Sequence, residues 1–97
     1  MKNLEDLKSI IQSHKKEMNE KYGVIEIGVF GSYVKNEQNE VSDIDVLVEF
    51  HKAIDLLTFV NLKNYLSELL NVNVDLVMKK ALKPKIGQRI LKEVVYI

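Results

Sequence analysis

Residues 24–50 read VIEIGVFGSYVKNEQNEVSDIDVLVEF, from Val24 through Gly31-Ser32 to Asp43-Ile44-Asp45 and on to Phe50. The first seven residues are rich in β-branched side chains and predict a strand, Val24 to Phe30, that stops at Gly31-Ser32. Tyr33 to Ser42 is mostly polar and predicts a short helical turn followed by a loop. Ile44 to Phe50 then alternates. Ile44, Val46, Val48 and Phe50 fall on one face of a second strand, and Asp43, Asp45, Leu47 and Glu49 on the other.

The flanking segments fill in the architecture. Leu4, Leu7, Ile10, Ile11, Met18 and Tyr22 recur at helical spacing, with Asn3 placed to cap and Gly23 to stop the helix. His14 falls near that stripe and reads as an ordinary helix histidine. Ile54 to Leu70 predicts an apolar helix opened by Asp55 and closed at Asn71. It is apolar on more than one side, through Leu57 and Val60 as well as Leu62 and Leu66, so the excess is either core or a patch for a partner. Val72 to Met78 predicts a third strand, with Asp75 on its polar face beside Asn73 and Val77. Pro84 suits the first turn of a last helix, and Val94 to Ile97 a short closing strand. The order predicts one α+β domain over residues 1–97 with a small mixed sheet.

Composition narrows the function. Fourteen basic and fourteen acidic residues cancel, which disfavours bulk nucleic-acid binding. The absence of cysteine excludes disulfides, zinc fingers and thiol nucleophiles, and fits a reducing cytoplasm. No apolar run approaches the roughly 18 residues of a membrane span, so a soluble, cytoplasmic protein is expected, with no membrane partner.

The chemistry lies in the aspartates. Side chains two apart on a strand share a face, with Cα atoms about 6–7 Å apart, so Asp43 and Asp45 can converge. If the third strand pairs beside the second, Asp75 joins them. Two unit charges about 4 Å apart repel by roughly 4 kcal/mol at an effective dielectric of 20. Either a proton or a cation must intervene, and an oxygen-only set suits Mg²⁺ or Mn²⁺. Two such ions would clamp the oxygens of a phosphoryl or nucleotidyl transfer. Gly31 lets backbone approach a phosphate, and Ser32 offers a hydroxyl and orphan N–H groups at the start of a turn. Either pair alone is weak evidence. Both at one fixed spacing arise by chance in about one chain in a thousand of this length.

Gly31-Ser32, the ten-residue gap, Asp43-Ile44-Asp45 and Asp75 within Val74-Asp75-Leu76-Val77 resemble the signature of the DNA polymerase β-like nucleotidyltransferases. The chain is most similar to their minimal, MntA-type antitoxin branch. That resemblance implies a palm-like mixed sheet with helices packed on one face. It implies Asp43, Asp45 and Asp75 as catalytic metal ligands, with Asp75 a possible base, and Gly31 and Ser32 as nucleotide-binding residues. It further implies two Mg²⁺ ions (or Mn²⁺), ATP as substrate, and a HEPN-type toxin encoded nearby as partner in a hetero-oligomer. The implied activity is transfer of AMP from ATP to a toxin tyrosine. One departure stands out: Tyr33-Val34-Lys35-Asn36 occupies the place where many relatives carry a small residue, arginine and glycine. Lys35 keeps the charge there but not the bidentate geometry of arginine.

Two other function classes stay in view. One is an antitoxin that works by covering its partner without catalysis; the other is an adenylyltransferase for a small alcohol. Asp43 and Asp45 also have a plain reading as a solvated strand-edge pair, and Ser32 as a simple helix cap. Finally, the zero charge is segregated. Glu37, Glu40, Asp43, Asp45 and Glu49 form an acidic stretch, while Lys79, Lys80, Lys83, Lys85, Arg89 and Lys92 form a basic one with no acid before Glu93.

Overall fold

A computed structural model describes residues 3–37 and 43–97. Glu40 and the end of the expected 33–42 loop lie outside the described residues. Helix α1 spans Leu4–Tyr22. The Asn3 side chain accepts from the Asp6 N–H (2.9 Å), and the Asp6 carboxylate accepts from the Asn3 N–H (3.4 Å). This reciprocal cap satisfies two backbone donors that the first turn leaves free. His14 is spent internally, with Nδ1 2.8 Å from the Ile10 carbonyl and its ring edge-on to Tyr65.

Strand β1 (Val24–Phe30) runs antiparallel to β2 (Ile44–Phe50). Helix α2 (Leu56–Leu70) then crosses back, and β3 (Val74–Met78) pairs parallel to β2. A parallel pair needs such a crossover. Helix α3 (Pro84–Glu93) leads into β4 (Val95–Tyr96), which pairs antiparallel to β1. The strand order is β3-β2-β1-β4, the mixed sheet expected.

Several boundaries move inward from the expected ones, the closing strand at both ends among them. Asp55 is the cap of α2 rather than part of it: its carboxylate accepts from the Thr58 N–H (2.8 Å), and hydrogen bonding from the Thr58 side chain, then from that N–H, holds its pKa below the usual range. Strand β3 starts at Val74, not Val72, because the Val72 N–H turns back to the Ser67 carbonyl (3.3 Å).

One face of the sheet carries the core. Ile27, Val29, Ile44, Val46, Val48, Phe50, Val74 and Leu76 pack against Leu7, Ile11 and Met18 of α1 and Leu62, Leu66 and Leu70 of α2. The apolar excess of α2 is split: Leu70 is fully buried in the core, whereas Leu57 (69%) and Val60 (39%) are exposed, as is Leu56 (77%). The opposite face carries Gly28, Phe30, Asp45, Leu47 and Asp75 by strand alternation. Val94 and Tyr96 lie over Gly28 on that face, where any side chain at residue 28 would meet them.

Candidate active site

Strand register sets the site. Phe30, Asp45 and Asp75 occupy one rung across β1, β2 and β3. Neighbouring strands lie about 4.8 Å apart, so two carboxylates on one rung cannot avoid each other. They share a hydrogen bond, and the Asp45 pKa is pushed up to about 6. Burial is the first cause, followed by the Asp75 charge, the bond to Asp75, and the charges of Asp43 and Glu93. Asp43, just ahead of β2, is exposed and acts on Asp45 through its charge; the same charge, after burial, raises the Tyr33 phenol.

The turn beyond β1 presses on this rung. Gly31 has φ 81° and opens a 3₁₀ turn, Gly31–Tyr33. A Cβ at residue 31 would run into the Asp45 carboxylate, so only glycine lets the turn sit there. The N–H groups of Val34 and Lys35 both return to the Gly31 carbonyl (3.1 Å each), and the Glu37 N–H to that of Ser32 (2.9 Å). Ser32 is half-buried at the start of this turn, where its own N–H has no acceptor within the turn.

Asp45 is therefore in direct contact with both Gly31 and Asp75, with Asp43 at electrostatic range. Lys35 comes to the same turn, but its Nζ lies 3.5 Å from Glu93 Oε2. The Gly31 N–H donates to Glu93 Oε1 (3.1 Å). Glu93 is the site residue that sequence reasoning missed; its only signal was being the first acid after six cations. Lys79, the first of those cations, is held by Glu26 (2.7 Å) and lies over the Tyr96 ring.

Among the described residues, no three acidic or imidazole side chains close round a common point as a ready cation cage. The donor set nonetheless fits a hard divalent ion. It is all oxygen, and burial followed by the neighbouring acidic charges penalises the ionised form of Asp45, a penalty that a bound cation would relieve. A groove of about 790 Å³ between α1 and α2, lined by Glu17, Tyr22, Asn61 and Tyr65, lies on the helical face away from the aspartates. Charge and register, not volume, make the aspartates the candidate site.

Residues 11–97 match the model of the nucleotidyltransferase domain. The protein adenylyltransferase MntA of Thermococcus cleftensis is 53% identical over 97 residues, covering 100% of this chain and 98% of its own. A solved structure provisionally described as a minimal nucleotidyltransferase superposes with a TM-score of 0.81 at 33% identity, over 97% of this chain and 95% of that one. A tri-AMPylated Shewanella oneidensis HEPN toxin in complex with its MNT antitoxin gives a TM-score of 0.68 at 21% identity, over 93% of this chain and 70% of that one, a likeness of fold alone. Matched along all but its first ten residues, and more than half identical to an MntA, the chain belongs to the nucleotidyltransferase domain family as an enzyme of the minimal, MntA-like kind.

Proposed function

We propose that this chain is a metal-dependent protein adenylyltransferase that moves AMP from ATP to a tyrosine hydroxyl of a HEPN-type toxin, for which it is the antitoxin. The observation that carries the reading is the Asp45–Asp75 rung packed against Gly31. The identity to an adenylyltransferase along the whole chain supports it, as does the distant likeness to an antitoxin solved with an AMPylated toxin.

Asp43, Asp45 and Asp75 would hold Mg²⁺, two ions or the Mn²⁺ equivalent. The metal would supply charge neutralisation at the α-phosphate and at the departing pyrophosphate. The chain's own residues do the positioning. The Gly31-Ser32 turn, with Lys35, faces the phosphates and holds the triphosphate against the rung. Asp75, exposed on the edge strand β3, would take the acceptor proton. The acceptor oxygen bonds to the α-phosphorus as the bond to the bridging oxygen breaks, and pyrophosphate leaves. Catalysis is then mostly orientation and electrostatics. The proposed working unit is a single minimal domain over residues 1–97 that receives its acceptor from the partner. No helix among the described residues is long and apolar enough to cross a membrane, and ATP as donor fits a cytoplasmic setting.

The test is incubation with the partner, Mg²⁺ and ATP labelled at the α-phosphate. Label on the partner is expected. No label, or equal label from an Asp43→Ala/Asp45→Ala double variant, sinks the reading. The exposed Leu56 and Leu57 of α2 favour a second reading, neutralisation by surface binding. A double variant that neutralises the toxin as well as wild type would select it.

A further inference from the structure

Glu93 reaches across the fold to a place where an anion is expected. It stands 62 residues from Gly31 in sequence, yet both its carboxylate oxygens are engaged there. One accepts the Gly31 N–H at 3.1 Å, and the other lies 3.5 Å from the Lys35 ammonium. A backbone N–H beside an ammonium is a phosphate-receiving pair. A carboxylate that takes both offers them the charge and lone pairs of a phosphate oxygen. Its own side chain is 26% exposed, so water screens the arrangement only in part. It also brings a third negative charge to bear on Asp45, with those of Asp75 and Asp43. An incoming triphosphate would meet that charge at close quarters and compete for the same two donors.

We infer that Glu93 occupies the position of a phosphate oxygen at the Gly31–Lys35 turn and is displaced when a nucleoside triphosphate binds, which makes the end of α3 part of the nucleotide site. The inference rests on the nucleotide reading proposed above. Glu93 is a positioning residue in this scheme, since it acts through Gly31 and Lys35. Its displacement couples the nucleotide to the α3–β4 segment, because Val94 directly follows it and lies over Gly28. Without the internal carboxylate the donors are free from the start, so nucleotide affinity should rise rather than fall. A residue that merely braced the turn would give the opposite sign.

The experiment measures the Kd of the α,β-methylene analogue of ATP, whose α–β bridge is not cleaved, by calorimetry with Mg²⁺ and without partner. Glu93→Gln keeps the size of the side chain and removes its charge; Glu93→Ala removes both. The expected result is a Kd about three- to tenfold lower for Glu93→Gln than for wild type. The gain should shrink in a Lys35→Met background, where the ammonium that Glu93 releases is absent. Unchanged or weaker binding by Glu93→Gln, or a gain undiminished in the Lys35→Met background, overturns the inference while leaving the nucleotide reading intact. Failure of wild type to bind the analogue overturns the nucleotide reading, and this inference with it. If Glu93→Ala unfolds, the Glu93→Gln comparison alone decides.

Discussion

Replacing Gly31 by alanine tests the fit between the turn and the aspartate rung. Two costs are local to that residue. Its φ of 81° is a left-handed conformation, which costs an alanine about 1–2 kcal/mol. The new Cβ would also run into Asp45 Oδ2 and stand 3.1 Å from Asp45 Cγ. Pushing Asp45 off its rotamer costs about 0.5–1.5 kcal/mol more. The sum, about 2–3 kcal/mol, corresponds to a Tm lower by roughly 10 °C in a domain of this size. Activity should fall further than stability, because a catalytic group displaced by about 1 Å loses on the order of a hundredfold in rate. Gly23→Ala is the matched control. Gly23 has φ 77°, and its Cβ would meet the His51 ring at 2.8 Å, so that ring must give up its 3.3 Å contact with the Gly23 carbonyl, but none of this touches the aspartates. It should lose about 1–2 kcal/mol and keep its transfer rate. Thermal melts and AMP-transfer assays on both variants read the two effects separately. A Gly31→Ala protein that melts within about 2 °C of wild type, or transfers AMP as fast as Gly23→Ala, refutes the reasoning.

Other outcomes follow from the same geometry. With its folded pKa raised to about 6, Asp45 binds more protons in the folded than in the unfolded state, so its contribution to metal-free stability is greatest at low pH and is lost as pH rises through about 6. Mg²⁺ must displace that proton, so the rise in Tm on adding Mg²⁺ should grow from pH 5 to pH 7; an equal rise at both contradicts it. Chelation of divalent ions with EDTA should abolish AMP transfer, and restored Mg²⁺ should recover it; transfer that persists in the chelator contradicts the metal role. Leu66→Ala, at a fully buried position, should cost about 2–5 kcal/mol by urea unfolding, whereas Leu57→Ala should stay within about 0.5 kcal/mol of wild type. A large loss at Leu57 would place the apolar excess of α2 in the core after all.

The aspartate rung was legible because strand alternation is a local property. Once β2 and β3 are read as strands, the parity of Asp43, Asp45 and Asp75 follows, and the parallel pairing brings Asp45 and Asp75 side by side. Gly31 was legible as a turn, but its contact with Asp45 depends on the antiparallel register of β1 on β2, which no short motif encodes. The shortened β3 reflects competition at its start, where Val72 bonds to Ser67 instead of extending the sheet. Two of the cations proved to be partnered. Lys35 meets Glu93 and Lys79 meets Glu26, contacts that join segments 58 and 53 residues apart (93 − 35 and 79 − 26) and leave no trace in local pattern. The apolar surplus of α2 was visible as a surplus, but only packing revealed that Leu56 and Leu57 face outward.

Intact-mass spectrometry of the partner toxin decides whether the aspartate rung performs the chemistry. The toxin is incubated with ATP and Mg²⁺ together with either the wild-type chain or the Asp43→Ala/Asp45→Ala variant. The expected spectrum shows whole increments of AMP on the toxin with wild type, fragmenting to a modified tyrosine, and unmodified toxin with the variant. A toxin of unchanged mass in the presence of the wild-type chain, or the same increments with both proteins, would contradict a nucleotidyl transfer carried by Asp43, Asp45 and Asp75.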